Sequence, residues 1–131
     1  MAKQRVAPRA ILAPAAQMDA RDLLRVSELH FGKLAKKRYK ALLQQALLDI
    51  GADPKRPGSQ ARPEIMIDGS RTYHLSFSRG RVIGPQVKEP RHFLLYRRLE
   101  DGVIEVARIF HDSRDLQLHL PEDYRQQNPD G

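Results

Sequence analysis

Residues Val103 to Phe110 read Val-Ile-Glu-Val-Ala-Arg-Ile-Phe, a nearly unbroken apolar run with one arginine, Arg108, inside it. Such a run belongs to a strand covered on both faces, which puts it inside a sheet rather than at its edge. The stretch before it supplies a neighbour. Phe93-Leu94-Leu95-Tyr96 is apolar and aromatic, as a strand requires. Leu99-Glu100-Asp101-Gly102 joins the two, with Asp-Gly as the turn signal. Directly after the buried run come His111, Asp112, Ser113, Arg114 and Asp115. A central strand that ends in a dense polar cluster is a natural place for a functional site.

The rest of the chain arranges itself around this pair. Arg9 to Ala13 has the composition of a short first strand, stopped by Pro14. Ala16, Ala20, Leu23, Leu24, Ser27 and Phe31 then fall on one face of a helix over residues 15–31. Gly32 interrupts, and Ala35, Tyr39, Leu42, Leu43, Ala46, Leu47 and Ile50 form the buried stripe of a second helix over 33–50, with Gly51 as its stop. A joint of one glycine implies that the two helices fold back as an antiparallel hairpin. Residues 53–63 carry turn chemistry and read as a loop, and Glu64 to Asp68, with its apolar core Ile65 to Ile67, as a short strand or turn. From Arg71 to Ser78 the pattern alternates as in a half-exposed strand. Arg79 to Glu89, with two glycines, reads as a mobile basic loop. Helices and strands segregate along the chain, so the fold class is α+β: a small antiparallel sheet, made of a short N-terminal strand and three C-terminal strands, packed against an α-helical hairpin. The domain spans residues 9–124, with a flexible leader at 1–8 and a disordered tail at 125–131.

At 131 residues the chain is long enough to bury about two thirds of its unfolded surface without disulfide or metal staples. It has no cysteine, so disulfides and thiolate metal sites are excluded. The five histidines, His30, His74, His92, His111 and His119, show no spacing suited to a metal, and no metal or cofactor is expected. No run approaches the roughly 20 apolar residues of a membrane span, and no secretory signal is present, so the location expected is cytoplasmic. The net charge is +7, and the excess lies in the first 51 residues, which hold 10 basic and 4 acidic side chains. Lys33, Lys36, Lys37, Arg38 and Lys40 concentrate it on the second helix. That imbalance points to a polyanionic or acidic partner, against the plainer alternative of a solvated helix face.

These residues, taken in order, resemble the RelE/ParE superfamily of toxins from type II toxin–antitoxin modules. Ala15-Ala16 with Asp19, and Phe31-Gly32, are similar to the family's first helix and its end. Arg38-Tyr39 and the following leucines resemble the second helix. Pro57-Gly58 fits the loop after it. Pro90 to Arg97 is similar to the strand pattern R-x-[IF]-x-Y, and Ile104 to Phe110 with His111, Arg114 and Asp115 resembles the last strand and terminal signature. The resemblance implies a cognate antitoxin as partner, one that wraps its toxin with a C-terminal segment and often adds a strand to a sheet edge. It also implies a homodimer of the toxin or a hetero-oligomer with the antitoxin.

Two activities follow from that resemblance. A ParE-like toxin inhibits DNA gyrase and needs a binding surface rather than catalytic groups. The basic residues Lys33, Lys36, Lys37, Arg38, Arg79, Arg81 and Lys88 are the target-binding candidates. A RelE-like toxin cleaves mRNA on the ribosome, which requires an acid, a base and cations around the phosphate. Here the catalytic candidates are His111, Arg108 and Arg114. The ending His111-Asp112-Ser113-Arg114-Asp115, and Leu118 where RelE-like members carry a tyrosine, favour the ParE-like activity. His111 has the plainer reading of a hydrogen-bonded cap to the last strand. Arg108 has that of a structural cation paired with Glu105 or a nearby Asp. A third reading, from a different class, is a non-toxic nucleic-acid-binding domain.

Overall fold

The computed structural model of the chain describes residues 9–65 and 67–113. The leader at 1–8, the candidate Arg114, His119 and the tail at 125–131 lie outside them. Five strands and two helices follow in the order β1 (Ala10–Leu12), α1 (Pro14–Phe31), α2 (Lys33–Ala52), β2 (Ser59–Ala61), β3 (Arg71–His74), β4 (His92–Arg98) and β5 (Ile104–His111), with a 3₁₀ segment at Leu75–Arg81 after β3. They form one sheet in the order β1-β5-β4-β3-β2. The helical hairpin packs on one face. The α+β class is that expected from the sequence, and the buried run Ile104–His111 lies between two neighbours as its composition demands.

The sheet departs from the antiparallel expectation at one edge. β1 runs parallel to β5, with Ala10 opposite Ile104 and Leu12 opposite Val106. β1 and β5 are not joined by a hairpin but separated by both helices and three other strands, so no tight turn forces them antiparallel. The remaining pairs are antiparallel. A fifth strand, β2, lies in the stretch read as a loop. Ser59-Gln60-Ala61 has no apolar pattern because β2 is a short edge strand, held by its ladder to β3. The alternation that continues to Ser78 stops being a strand at His74. There the His74 side chain accepts from the Ser76 amide and turns the chain into the 3₁₀ segment.

The helices are set by local rules. Pro14 occupies the first turn of α1, where its missing N–H costs nothing. Gly32, at φ +93°, closes α1 by donating its N–H to the Glu28 carbonyl and also starts α2. Gly51 is not a stop. It lies within α2 and is buried, and a Cβ there would sit 3.0 Å from the backbone of Arg9 and Ala10. The glycine therefore serves the close approach of α2 to β1.

The main core lies between the hairpin and the sheet. Tyr39, Leu42, Leu43, Ala46 and Ile50 of α2 meet Tyr73, Leu75, Leu94, Tyr96, Val106 and Ile109. Each fully buried large side chain contributes about 1.5–3 kcal/mol. A smaller cluster, Ile65, Leu95, Ala107 and Phe110, covers the opposite face. A β-bulge decides which residue of β5 faces where. Leu95 pairs with Arg108 and Tyr96 with Val106, which leaves Ala107 extra. Beyond the bulge, Ile109 and His111 face the helices, while Arg108 and Phe110 face away.

Candidate functional site

The ends of β4 and β5 bring two histidines together beneath the helical hairpin, and His74 at the end of β3 joins them through Asp112. His92 and His111 are cross-strand partners, with ring centroids 5.3 Å apart and the rings edge to face. Tyr39 of α2 reaches the same point, its ring 5.4 Å from that of His92. The Tyr39 hydroxyl accepts the Arg91 amide at 3.1 Å and lies 2.6 Å from His92 Nδ1. In His74 and His111 each Nδ1 accepts a backbone N–H, from Ser76 and Ser113 respectively, at 3.1 Å. A backbone N–H can only donate, so both rings carry their proton on Nε2 when neutral. His74 Nε2 donates to Asp112 at 3.1 Å, and Arg91 grips the same carboxylate at 3.0–3.2 Å.

Burial sets the protonation of this cluster. His92 is pushed down to about 4, first by burial and then by the neighbouring His111, so it is neutral. Burial pushes the Tyr39 hydroxyl up to about 12. Asp112 is lowered despite a desolvation cost, because Arg91 and His74 hydrogen-bond its charged form.

A cleft of about 700 Å³ opens beside this cluster. Leu23, Val26 and Phe31 of α1 form one wall, and Val87 forms part of the other. Tyr39, His92 and His111 contribute to its lining. Arg38, Lys88 and Arg91 supply cations there, against one acid, Glu89. Phe31 is 79% exposed, so the apolar wall is open to a partner.

A family model described as "ParE toxin of type II toxin-antitoxin system, parDE" matches residues 10–116. The chain belongs to the ParE toxin family. No match was found among curated proteins. Membership makes this ParE-family protein the toxin component of a type II toxin–antitoxin system, and it implies an antitoxin as partner.

The sequence-derived candidates of this ParE-family toxin divide by position. Arg108 does not pair with Glu105, which binds Arg97 across the strands. Its Nε and Nη2 donate to Asp19 of α1 at 2.7 and 3.0 Å, and Asp19 also accepts the Ile109 N–H at 2.9 Å. The Arg108 guanidinium lies over the Phe110 ring, on the face opposite His111. The geometry thus separates two members of the catalytic set. Of the basic set, Arg38 and Lys88 line the cleft, and Lys33 and Lys37 are exposed on α2. Lys36 pairs with Glu28 at 3.4 Å. Arg79 donates to the Val87 carbonyl at 2.6 Å, which ties down the segment read as mobile.

Arg81 belongs to a buried network that sequence reasoning missed. Asp49 is 4% exposed and sits in the apolar stripe of α2. It accepts from Ser78 at 2.6 Å, Gln45 at 2.9 Å and Arg81 at 2.9 Å, and pairs with Arg56 at 3.2 Å. Desolvation opposes its charge, but these partners outweigh it and hold its carboxyl below the usual range. The available signal was an acid at a core position of the helical pattern, which predicts a buried cation nearby. The His92–His111 pair had no such signal, since it depends on strand register. Among the described residues, no group of three or more His, Cys, Asp or Glu side chains is placed to hold a metal ion. No described helix is long and apolar enough to cross a membrane.

Proposed function

We propose that this ParE-family toxin inhibits DNA gyrase in the cytoplasm by binding it, and that a cognate antitoxin neutralises it. The observation that carries this reading is the state of the would-be catalytic groups. A ribonuclease built on the sequence-derived set would need His111 to take a proton as general base, with Arg108 beside it to hold the phosphate. His111 Nδ1 already accepts the Ser113 N–H, and Arg108 is held at the edge of β5 by Asp19 of α1 and over the Phe110 ring, away from His111. What the molecule offers instead is a surface: an apolar cleft with Arg38 and Lys88 in its lining, flanked by the exposed Lys33 and Lys37 of α2. Lys36, Arg79 and Arg81 extend this basic target-binding set. An antitoxin segment of mixed apolar and acidic character suits the same cleft.

The test pairs two assays on the purified chain. One follows supercoiling of relaxed plasmid by gyrase, with detection of trapped cleavage complexes. The other follows mRNA integrity in a translating ribosome system. Lost supercoiling or linearised plasmid, with intact mRNA, is the expected result. Cut mRNA that becomes intact in His111→Ala, with gyrase unaffected, would overturn the reading.

A further inference from the structure

Among the described residues, salt bridges neutralise part of the basic surface and leave other cations exposed without one. Arg56, Arg62, Arg81, Arg91, Arg97 and Arg108 each have a carboxylate partner among the described residues. Lys33, Lys37, Arg38 and Lys88 have none there, and all four are exposed. Three of them lie in Lys33-Leu34-Ala35-Lys36-Lys37-Arg38-Tyr39-Lys40, eight residues with five cations and no acid. The first turn of α2 contains no acidic residue and its Gly32 cap offers no side chain, so the positive end of the helix dipole is faced by lysines. Cations at that end oppose the dipole. Apart from the Lys36–Glu28 pair, nothing among the described residues offsets them there, and an external anion is what would compensate.

We propose that Lys33, Lys37, Arg38 and Lys88 form a contact surface for the sugar–phosphate backbone of duplex DNA, read without regard to sequence. Lys33 and Lys37 stand one turn apart on α2, about 6 Å along its axis, and Arg38 carries the row round to the cleft, where Lys88 faces it from the other wall. Phosphates on one strand recur about every 3.4 Å along the duplex axis, so a row of this length spans about two of them. A peptide seated in the apolar cleft would cover Arg38 and Lys88, but Lys33 and Lys37 lie outside its lining. A continuous polyanion meets all four. The inference rests on the gyrase reading for its setting, since gyrase works on bound DNA, but it concerns DNA alone.

The experiment is fluorescence anisotropy of a labelled 20-base-pair duplex with the full chain, between 50 and 200 mM NaCl. Four phosphate contacts give a slope of log K against log salt of about −3.6, a loss of about 150-fold over that range, and the same value for unrelated sequences. The Lys33→Gln/Lys37→Gln variant should flatten the slope by about 2. Lys55→Gln, beyond the far end of the roughly 30 Å helix, should leave it unchanged. No binding at 50 mM salt would sink the proposal. So would an unchanged slope in the double variant, or displacement by polyglutamate as effective as by unlabelled duplex, which would make the partner an acidic polypeptide. DNA binding with gyrase unaffected would remove the gyrase reading and keep this one. Inhibited gyrase without DNA binding would do the reverse.

Discussion

Asp19 is the acid on which the geometry of β5 depends. Beyond Leu12, β1 no longer covers the edge of β5, and the Ile109 N–H would be left without a strand partner. Asp19, from α1, supplies the acceptor at 2.9 Å and at the same time takes two hydrogen bonds from Arg108. Asp19→Ala removes both. An amide left without an acceptor costs about 1–3 kcal/mol. Breaking a fully buried ion pair costs about 3–5 kcal/mol, but the side chains here keep 30% and 17% of their surface, so water offsets roughly half of that. The two losses overlap, because the relaxation that hydrates Arg108 also hydrates the amide. We expect a net loss of about 3 kcal/mol, or a fall in melting temperature on the order of 10 °C.

Urea denaturation measures this directly. Asp19→Asn keeps an oxygen for the Ile109 N–H and loses the charge, so it should cost about half as much. A double-mutant cycle of Asp19→Ala with Arg108→Gln should show a coupling of about 1–2 kcal/mol. A loss under about 1 kcal/mol in Asp19→Ala with the denaturant slope unchanged, or a coupling near zero, would refute the assignment of Arg108 as a structural cation.

Three further predictions follow from the same structure. Gly51→Ala gains about 1 kcal/mol of helix propensity but forces a methyl group to 3.0 Å from the β1 backbone, so it should lower stability by about 1–2 kcal/mol net; a higher melting temperature would contradict the close approach. His92, at about 4 in the fold against an ordinary 6.5, binds its proton more readily in the unfolded chain. Its contribution is therefore complete above pH 6.5 and is lost as pH falls towards 4, by about 3 kcal/mol in all; His92→Gln should flatten stability between pH 6.5 and 4.5, and a slope equal to that of the wild type would refute it. Lys33→Glu replaces a cation with an anion at the start of α2 and should raise stability by about 0.3–1 kcal/mol in thermal melts, while a fall would show that the lysine serves the fold after all.

What could be read from the sequence, and what could not, follows from the range of the forces involved. The stripe Tyr39, Leu42, Leu43, Ala46 and Ile50 and the run Ile104–Phe110 are local patterns, and both elements stand where those patterns put them. β2 was missed because Ser59–Ala61 is stabilised by its ladder with β3 and carries little apolar signal of its own. Gly51 was misread because a glycine near a helix end suits a stop and a close approach equally well. In that case the decision came from Arg9 and Ala10, some forty residues away.

The site depended most on distant partners. Arg108 called for a carboxylate, and the nearest in sequence was Glu105. Alternation along a regular strand would have put the side chains of Arg108 and Val106 on one face. The bulge at Ala107 broke that alternation and turned Arg108 outward over Phe110, while His111 faced the cleft. A one-residue irregularity in β5 thus divides a cluster that looks contiguous in sequence into a structural arginine at the strand edge and a histidine in the cleft. The division also limits the chemistry. With its Nδ1 held by the Ser113 N–H, neutral His111 presents an N–H rather than a lone pair at Nε2. It could act as a general base only by giving up that hydrogen bond and changing tautomer. On the proposed reading, the end of β5 donates to a bound group, and the surrounding apolar and cationic surface of the cleft binds with it.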